Sequence, residues 1–341
     1  MAVVGAGAFG RNHARVYHQL FEQGEPVRLV GVVDPDLEKA NSVGREFACP
    51  AFASLDQLCG AEPGLKAASV VVPTLHHLEV TRTLLNRGID VLVEKPLTAS
   101  LAEADELVEL AKSAGRVAQV GHLERFNPAV RAIVPLISRP MFFEVHRLSV
   151  FTPRSLDVDV VLDLMIHDLD VVLSLVASPV AEIRAVGLPI LSGKVDIANV
   201  RMQFESGCVA NFTASRVSTE RVRKMRFFQP QQYISLDFGR QDALVFSVGE
   251  QDPLGTPSIN PQIQISKPRV AAEEPLRAEL QSFLRSVRER SVPVVSFADG
   301  RRALAVALDV VRCIQEHGTQ FDLGSRTLPR GGPFALLDSN F

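Results

Sequence analysis

The stretch AVVGAGAFGRNHARVYHQL, residues 2–20, decides the fold. A short β-branched run, Ala2–Val4, leads into three glycines at positions 5, 7 and 10, and helical apolar spacing (Ala14, Val16, Tyr17, Leu20) follows. A strand that feeds a G-x-G-x-x-G turn and then a helix is the opening of a dinucleotide-binding βαβ unit. Each glycine has a physical reason: Gly5 for the tight turn, Gly7 for close backbone approach to a pyrophosphate, and Gly10 for close helix–strand packing. The helix N-terminus then presents free N–H groups and a positive dipole end to the phosphates. A bare glycine cluster is weak evidence, since glycines are common in turns, so the surroundings must carry the reading. Only four residues precede Gly5, which makes the first strand very short.

The second strand supplies the first check. VRLVGVVD, residues 27–34, is almost continuously apolar, as expected of a parallel strand buried on both faces, and it ends in Asp34, 24 residues after Gly10. A carboxylate there accepts both ribose hydroxyls and repels a 2′-phosphate. Pro35, not an arginine, comes next, so NAD is expected rather than NADP.

Further along, strands are expected over 68–73, 89–96 and 116–121. Between them lie helices, one opened by Ser54 with Gln57, one over 77–87 ended by Gly88, and one opened by Ser100 with Glu103 and closed by Gly115. This alternation predicts an open parallel α/β sheet over residues 1–122. After a short helix behind Asn127-Pro128, the texture changes. A strand at 141–151 and a long helix at 158–176 precede strand candidates at 181–188, 197–204, 208–216, 225–228, 233–238 and 243–248. Short turns between them, Glu205-Ser206-Gly207 among them, predict a second α+β domain, residues 123–330, built on a large, mostly antiparallel sheet. Residues 251–268 read as a loop, helices are expected over 275–290 and 298–316, and the tail beyond 328 shows no periodic signal.

Composition sets the outer limits. The 341 residues suffice for about two domains. With 36 Lys and Arg against 39 Asp and Glu, the net charge is −3, without the basic excess of a nucleic-acid or anionic-membrane binder. The four cysteines are far apart, form no CxxC pair and read as reduced core thiols, so a cytoplasmic protein is expected. No apolar run approaches the ~18 residues of a membrane helix.

Two side-chain arrangements carry chemistry. Lys95, at the end of a strand of the parallel sheet and before Pro96, stands where α/β sheets bind ligands; it can stabilise an alkoxide or simply pair with Glu94. Asp163 and His167 share a helix face at i, i+4, so the acid can orient the imidazole. Two ligands on one helix are too few for a metal, and no metal is expected. Arg125 and Asn127 follow the last strand of the first domain and can touch substrate, although Asn127 before Pro128 is equally a helix cap. Arg154 is a candidate for a pyrophosphate or a plain surface charge.

EKP (94–96), DLMIHDLD (163–170) and VVVPTLHH (70–77) together resemble the glucose-fructose oxidoreductase / inositol dehydrogenase / MocA family over nearly the whole chain. The resemblance implies an NAD-dependent sugar dehydrogenase. Its catalytic trio would be Lys95, Asp163 and His167. The cofactor would lie against Gly5, Gly7, Phe9, Gly10, Asp34, Pro73, Thr74, His77, Glu94 and Lys95, and the substrate against Arg125, Asn127, Arg154, Asp163 and His167. Whether Lys95 or His167 is the formal base stays open. Within the family, QVGHLERFNPAV (119–130) and RSLDVDVVLDLMIHDLD (154–170) are similar to enzymes that oxidise the 3-hydroxyl of UDP-N-acetylglucosamine ahead of transamination for lipid A. The alternatives are oxidation of a free cyclitol or sugar and an inactive nucleotide sensor. The resemblance also implies a homodimer or homotetramer formed through the second sheet.

Overall fold

The structure, a computed structural model, describes residues 1–152, 158–248 and 263–320. Its first sheet is parallel, with strands β1 (Ala2–Val4), β2 (Gly31–Val33), β3 (Ala51–Phe52), β4 (Ala67–Val70), β5 (Asp90–Glu94) and β6 (Ala118–Gly121) in the order β3-β2-β1-β4-β5-β6. The chain runs outward from β1 in both directions. The β1 and β4 loops therefore diverge and leave a crevice at the carboxyl ends of the strands. Connecting helices are α1 (Ala8–Glu22), α2 (Leu37–Glu46), α3 (Leu55–Ala61), α4 (His77–Asn86) and α5 (Leu101–Ser113). The expected Ser100–Glu103 capping box is present in full at α5. At α3, Ser54 accepts from Gln57 N–H as expected, while the Gln57 amide reaches back one residue further, to Ala53 N–H.

Two elements of the first sheet's layers went unread in the sequence, α2 and β3. Helix α2 buries only Ala40, Val43 and Gly44, so its apolar periodicity is faint, and it is held at its start by Asp36 accepting from Lys39 N–H. Topology was the available signal: parallel neighbours need a crossover connection, usually a helix.

The second sheet has eight strands: β7 (Phe142–Val150), β8 (Val180–Leu188), β9 (Ile197–Phe204), β10 (Val209–Ser218), β11 (Val222–Gln229), β12 (Gln232–Asp237), β13 (Asp242–Val248) and β14 (Ile263–Ser266). Their order is β14-β13-β12-β11-β7-β10-β9-β8, antiparallel throughout except the parallel pair β7/β10. Strand β14 lies in the segment expected to be loop; it is exposed along its whole length and pairs only with β13, so it carries no inward apolar pattern.

One face of this sheet packs on helices. Phe143, Phe212 and Phe227 meet Met165, Leu169 and Val172 of the long helix, together with Ala307 and Val310 of α9 (Phe297–Gln320). The long helix is not regular: Val161–Met165 form a single wide π-type turn before α7 (Ile166–Leu175). A short α6 (Pro128–Ile133) precedes β7. Helix α8 (Pro275–Glu289), expected in the second domain, returns to the first. Its Leu276, Leu280 and Phe283 pack with Tyr17 and Leu20 of α1. Arg288–Glu25 and Arg290–Asp90 ion pairs reinforce that seam.

Candidate active site

The glycine turn is built for close approach. Gly5 sits at φ +105°, which L side chains rarely adopt, and a Cβ there would lie 2.4 Å from Val71 O on the β4 loop. A Cβ on Gly10 would fall 1.8 Å from Gly5 O, so helix α1 reaches the turn only because no side chain intervenes. Gly7 differs: among the described residues nothing stands within 4 Å of where its Cβ would be. It is also the N-cap residue of α1, with no side-chain cap and no acid in the first turn. The α1 N-terminus thus faces open space with donors free, which fits the phosphates of a dinucleotide.

A cavity of about 810 Å³ lies there, lined by Gly5, Gly7, Phe9, Asp34 and Pro73, together with Lys39, Ser54 and His76, which the sequence did not assign to the cofactor. That volume is within the ~300–1,000 Å³ of ordinary small-molecule sites. Asp34 Oδ2 accepts from Ala6 N–H at 2.8 Å and Oδ1 from Asp36 N–H at 2.9 Å, so the carboxylate is fixed beside the glycine turn.

Thr74 and His77 serve the walls instead. Thr74 opens the short 3₁₀ turn Thr74–His76. His77, 1% exposed, spans Val72 O at 2.9 Å and Pro96 O at 2.9 Å. Burial lowers its pKa, against the pull of those carbonyls, and both ring nitrogens are engaged with backbone. The ring therefore clasps the cofactor-side loop to the Lys95 loop rather than facing the cavity.

Lys95 leaves the end of β5 and crosses to the second lobe. Its Nζ donates to the Asp163 carbonyl oxygen at 2.7 Å and lies 3.7 Å from Asp163 Oδ1. π-type turns loosen the regular helical ladder and recur at functional sites, and Asp163 lies within one. Burial lowers the Lys95 pKa, opposed by the Asp163 and Glu94 carboxylates. Glu94 is held by His13, whose Nε2 is 3.0 Å from Glu94 Oε1.

His167 follows one turn after Asp163. Its pKa is held well below 6.5, first by burial and then by the charges of Lys95 and Arg147. The charge of the amine from one lobe thus acts on the imidazole of the other. The expected Asp163–His167 bond is absent. Among the described residues nothing hydrogen-bonds His167 Nδ1, and Asp163 turns to Lys95. The i, i+4 argument assumed a regular helix, and the wide turn changes the phase between the two positions.

Arg125 and Asn127 are engaged structurally. Arg125 pairs with Asp170 at 3.6 Å and donates to Val294 O at 3.2 Å. Asn127, 2% exposed, caps α6 through Ala129 N–H and donates to Glu124 and Phe238 O, which leaves its amide engaged inside the fold. Arg154 lies outside the described residues.

Sequence reading missed a layer of buried ions behind the site. Arg147 on β7 donates to both carboxylate oxygens of Asp168, at 2.7 and 2.8 Å, and to Glu124 at 3.0 Å. Burial works against its charge, but the two carboxylates outweigh burial and raise its pKa. His122, unassigned from sequence, is 1% exposed and lowered in pKa by burial. Glu279 on α8 is fully buried and raised well above the usual carboxyl range by burial and by Glu94 and Asp170. No periodic signal marks these residues, because their partners come from distant parts of the chain. Only Cys208 of the four free cysteines is buried, so the expectation of core thiols holds for one.

The arrangement is a crevice for a dinucleotide at the switch point of a parallel sheet, with the Lys95 amine reaching from the first lobe to Asp163 of the second. Residues 1–122 match an oxidoreductase family with an NAD-binding Rossmann fold, and residues 139–231 match the GFO/IDH/MocA C-terminal domain. The UDP-N-acetylglucosamine 3-dehydrogenase of Acidithiobacillus ferrooxidans is 36% identical over 309 residues, 90% of this chain and 95% of that protein. A solved structure of that enzyme superposes with a TM-score of 0.84 at 35% identity, covering 92% of this chain and 97% of the other. The scyllo-inositol 2-dehydrogenase (NAD(+)) of Bacillus subtilis is 29% identical over 232 residues, 64% of this chain and 67% of that protein. The chain belongs to the GFO/IDH/MocA family and is an NAD-dependent oxidoreductase.

Proposed function

We propose that the enzyme oxidises the 3-hydroxyl of UDP-N-acetylglucosamine to the 3-keto sugar, the step before transamination in lipid A-type sugar synthesis. The likeness to the Acidithiobacillus enzyme over nine-tenths of the chain supports the substrate. The observation that carries the chemistry is the contact of Lys95 Nζ with Asp163 O at 2.7 Å, which ties the amine to the turn that leads into the helix bearing His167. NAD⁺, when bound, accepts a hydride from the carbon that bears the hydroxyl. His167, kept neutral at pH 7 by burial and neighbouring cations, takes the hydroxyl proton. Lys95 donates to the same oxygen and stabilises its developing negative charge. The alcohol would thereby become a ketone, with its proton held on the His167 imidazole. Asp163 positions Lys95.

The test is NADH absorbance with UDP-N-acetylglucosamine, myo-inositol or glucose as substrate, coupled to an aminotransferase so that an unfavourable equilibrium does not hide turnover. Oxidation of the UDP-sugar alone supports the reading. Oxidation of myo-inositol in preference overturns the substrate, and failure with all three overturns the reaction. His167→Asn is expected to lower turnover about 10²–10⁴-fold with NAD binding retained; unaltered turnover removes His167 as base.

The enzyme is further proposed to act in the cytoplasm, in keeping with four unpaired thiols, as a homodimer or homotetramer. The uncovered face of the eight-stranded sheet supports an assembly. Phe142, Phe228, Tyr233 and Phe246 form a cross-strand aromatic row, with centroid separations of 5.9, 4.9 and 5.2 Å, continued by Ile265. Such a row is costly in water and is covered by a second copy's equivalent row in a symmetric dimer. Phe228→Asp is expected to give a monomer by light scattering.

A further inference from the structure

Arg147 and Arg223 are directly opposite each other on β7 and β11. Both point to the inner, helix-covered face: Arg147 shares parity with Phe143 and Val145, and Arg223 with Met225 and Phe227, all buried. Like charges directly opposite on one sheet face destabilise it. Arg147 is compensated, enclosed by Asp168, Glu124 and the ring of Phe238. Arg223 is not. Among the described residues no carboxylate lies within ion-pair distance of it and no acceptor takes its guanidinium hydrogens; its carbonyl accepts from Phe238 N–H. Asp168 is already doubly engaged with Arg147, and Glu124 is shared between Arg147 and Asn127. Arg221, the next charged residue, adds a further positive charge.

Arg223 is also exposed, whereas Arg147 is buried. It lies close enough to His167 that its charge helps keep that ring neutral. A bidentate donor opposite Arg147, whose partner Asp168 adjoins the proposed base in sequence, with no ion-pair partner among the described residues, is arranged for a planar or tetrahedral oxyanion that arrives with the substrate.

We infer that Arg223 is the anion subsite of the active site and binds the diphosphate of a nucleoside-diphosphate sugar. This rests on the proposed oxidation and deepens it. In a nucleotide sugar the diphosphate is attached to C1, two carbons from the C3 hydroxyl. A group beside His167 is therefore within reach of it, whereas a free cyclitol offers nothing anionic. The neutral sugar ring then lies between Lys95–His167 and Arg223, and the diphosphate fixes which hydroxyl meets the base.

The test uses the full-length enzyme with NAD⁺ present and UDP as probe. Calorimetric titration is expected to show UDP binding, weakened about 10–100-fold in Arg223→Ala and largely restored in Arg223→Lys, with NAD⁺ affinity unaltered. The KM for UDP-N-acetylglucosamine is expected to rise by a similar factor, and kcat to change far less. Arg184→Ala, an equal loss of charge on the exposed face of β8, controls for the overall field and leaves UDP binding as in the wild type. Absence of UDP binding by the wild type, or equal UDP affinity in Arg223→Ala, overturns the subsite. Arg223-dependent UDP binding without oxidation of the UDP-sugar leaves the subsite standing and overturns the reaction instead.

Discussion

The two sheets solve burial in opposite ways, and the active site follows from the difference. The six-stranded sheet is buried on both faces. Its strands are almost wholly apolar, so polar recognition is pushed to the loops beyond their carboxyl ends. There the groups on offer are backbone N–H donors, one carboxylate and a helix terminus. The eight-stranded sheet is covered on one face only, and near the cleft its inner face carries ions: Arg147, opposed by Asp168 and Glu124, and Arg223. One lobe offers backbone groups at its cleft, and the other is proposed to recognise by placed charge. A cofactor whose diphosphate is always the same suits the first; a substrate that must be distinguished from its relatives suits the second.

The largest effects should appear where the backbone itself is the binding group. Gly10→Val is expected to abolish NAD binding and to destabilise the fold by at least about 3 kcal/mol, since its Cβ cannot coexist with Gly5 O. Near-normal NAD titration and melting temperature in this variant would break the contrast at its first term. Next comes the ion layer. Arg147→Met strands two buried carboxylates and is expected to cost about 3–5 kcal/mol in urea unfolding, whereas Arg147→Met with Asp168→Leu and Glu124→Gln together should recover much of it. A single-variant loss below about 1 kcal/mol would mean that charge is not what organises the second lobe.

A smaller effect concerns pH. His167 has its folded pKa lowered below 6.5, so the neutral base is fully present at pH 7, and activity is lost only as pH falls through that lowered value. The same depression makes folding less favourable as pH drops below 6.5, because the unfolded chain binds that proton more readily. Lys95→Met removes the largest charge contribution to the depression. The His167 titration, followed by NMR, is expected to move upward in that variant, and less so in Arg223→Met. An unmoved titration would separate the two lobes electrostatically and remove the convergence on which the reaction depends. Smallest is Ser100→Ala, which deletes half of the α5 capping box and is expected to cost about 1 kcal/mol of stability with activity retained.

Much of this was readable beforehand. The G-x-G-x-x-G turn, Asp34 and the apolar strand runs specified the first lobe, because a parallel sheet buried on both faces writes its constraint into consecutive residues. Alternation and turn residues specified the antiparallel second lobe. Helix α2 escaped because it buries so little, and β14 because an exposed edge strand needs no pattern. In the site, Lys95 and His167 were legible as chemistry, but the partner of Asp163 was not. Spacing on a helix gives phase only while the helix is regular, and the wide turn at Val161–Met165 broke that assumption.

By itself the sequence determined the class of fold, the place of the dinucleotide and the residue types able to move a proton, since these depend on local geometry and short-range periodicity. Only the tertiary structure decided which charges face one another. It joined Lys95 to Asp163, enclosed Arg147 between Glu124 and Asp168, set Arg223 opposite Arg147, and drew His77 and Asn127 into the walls. Ion pairing is a contact of side chains remote in sequence, and its sign and strength follow from burial that no local pattern records.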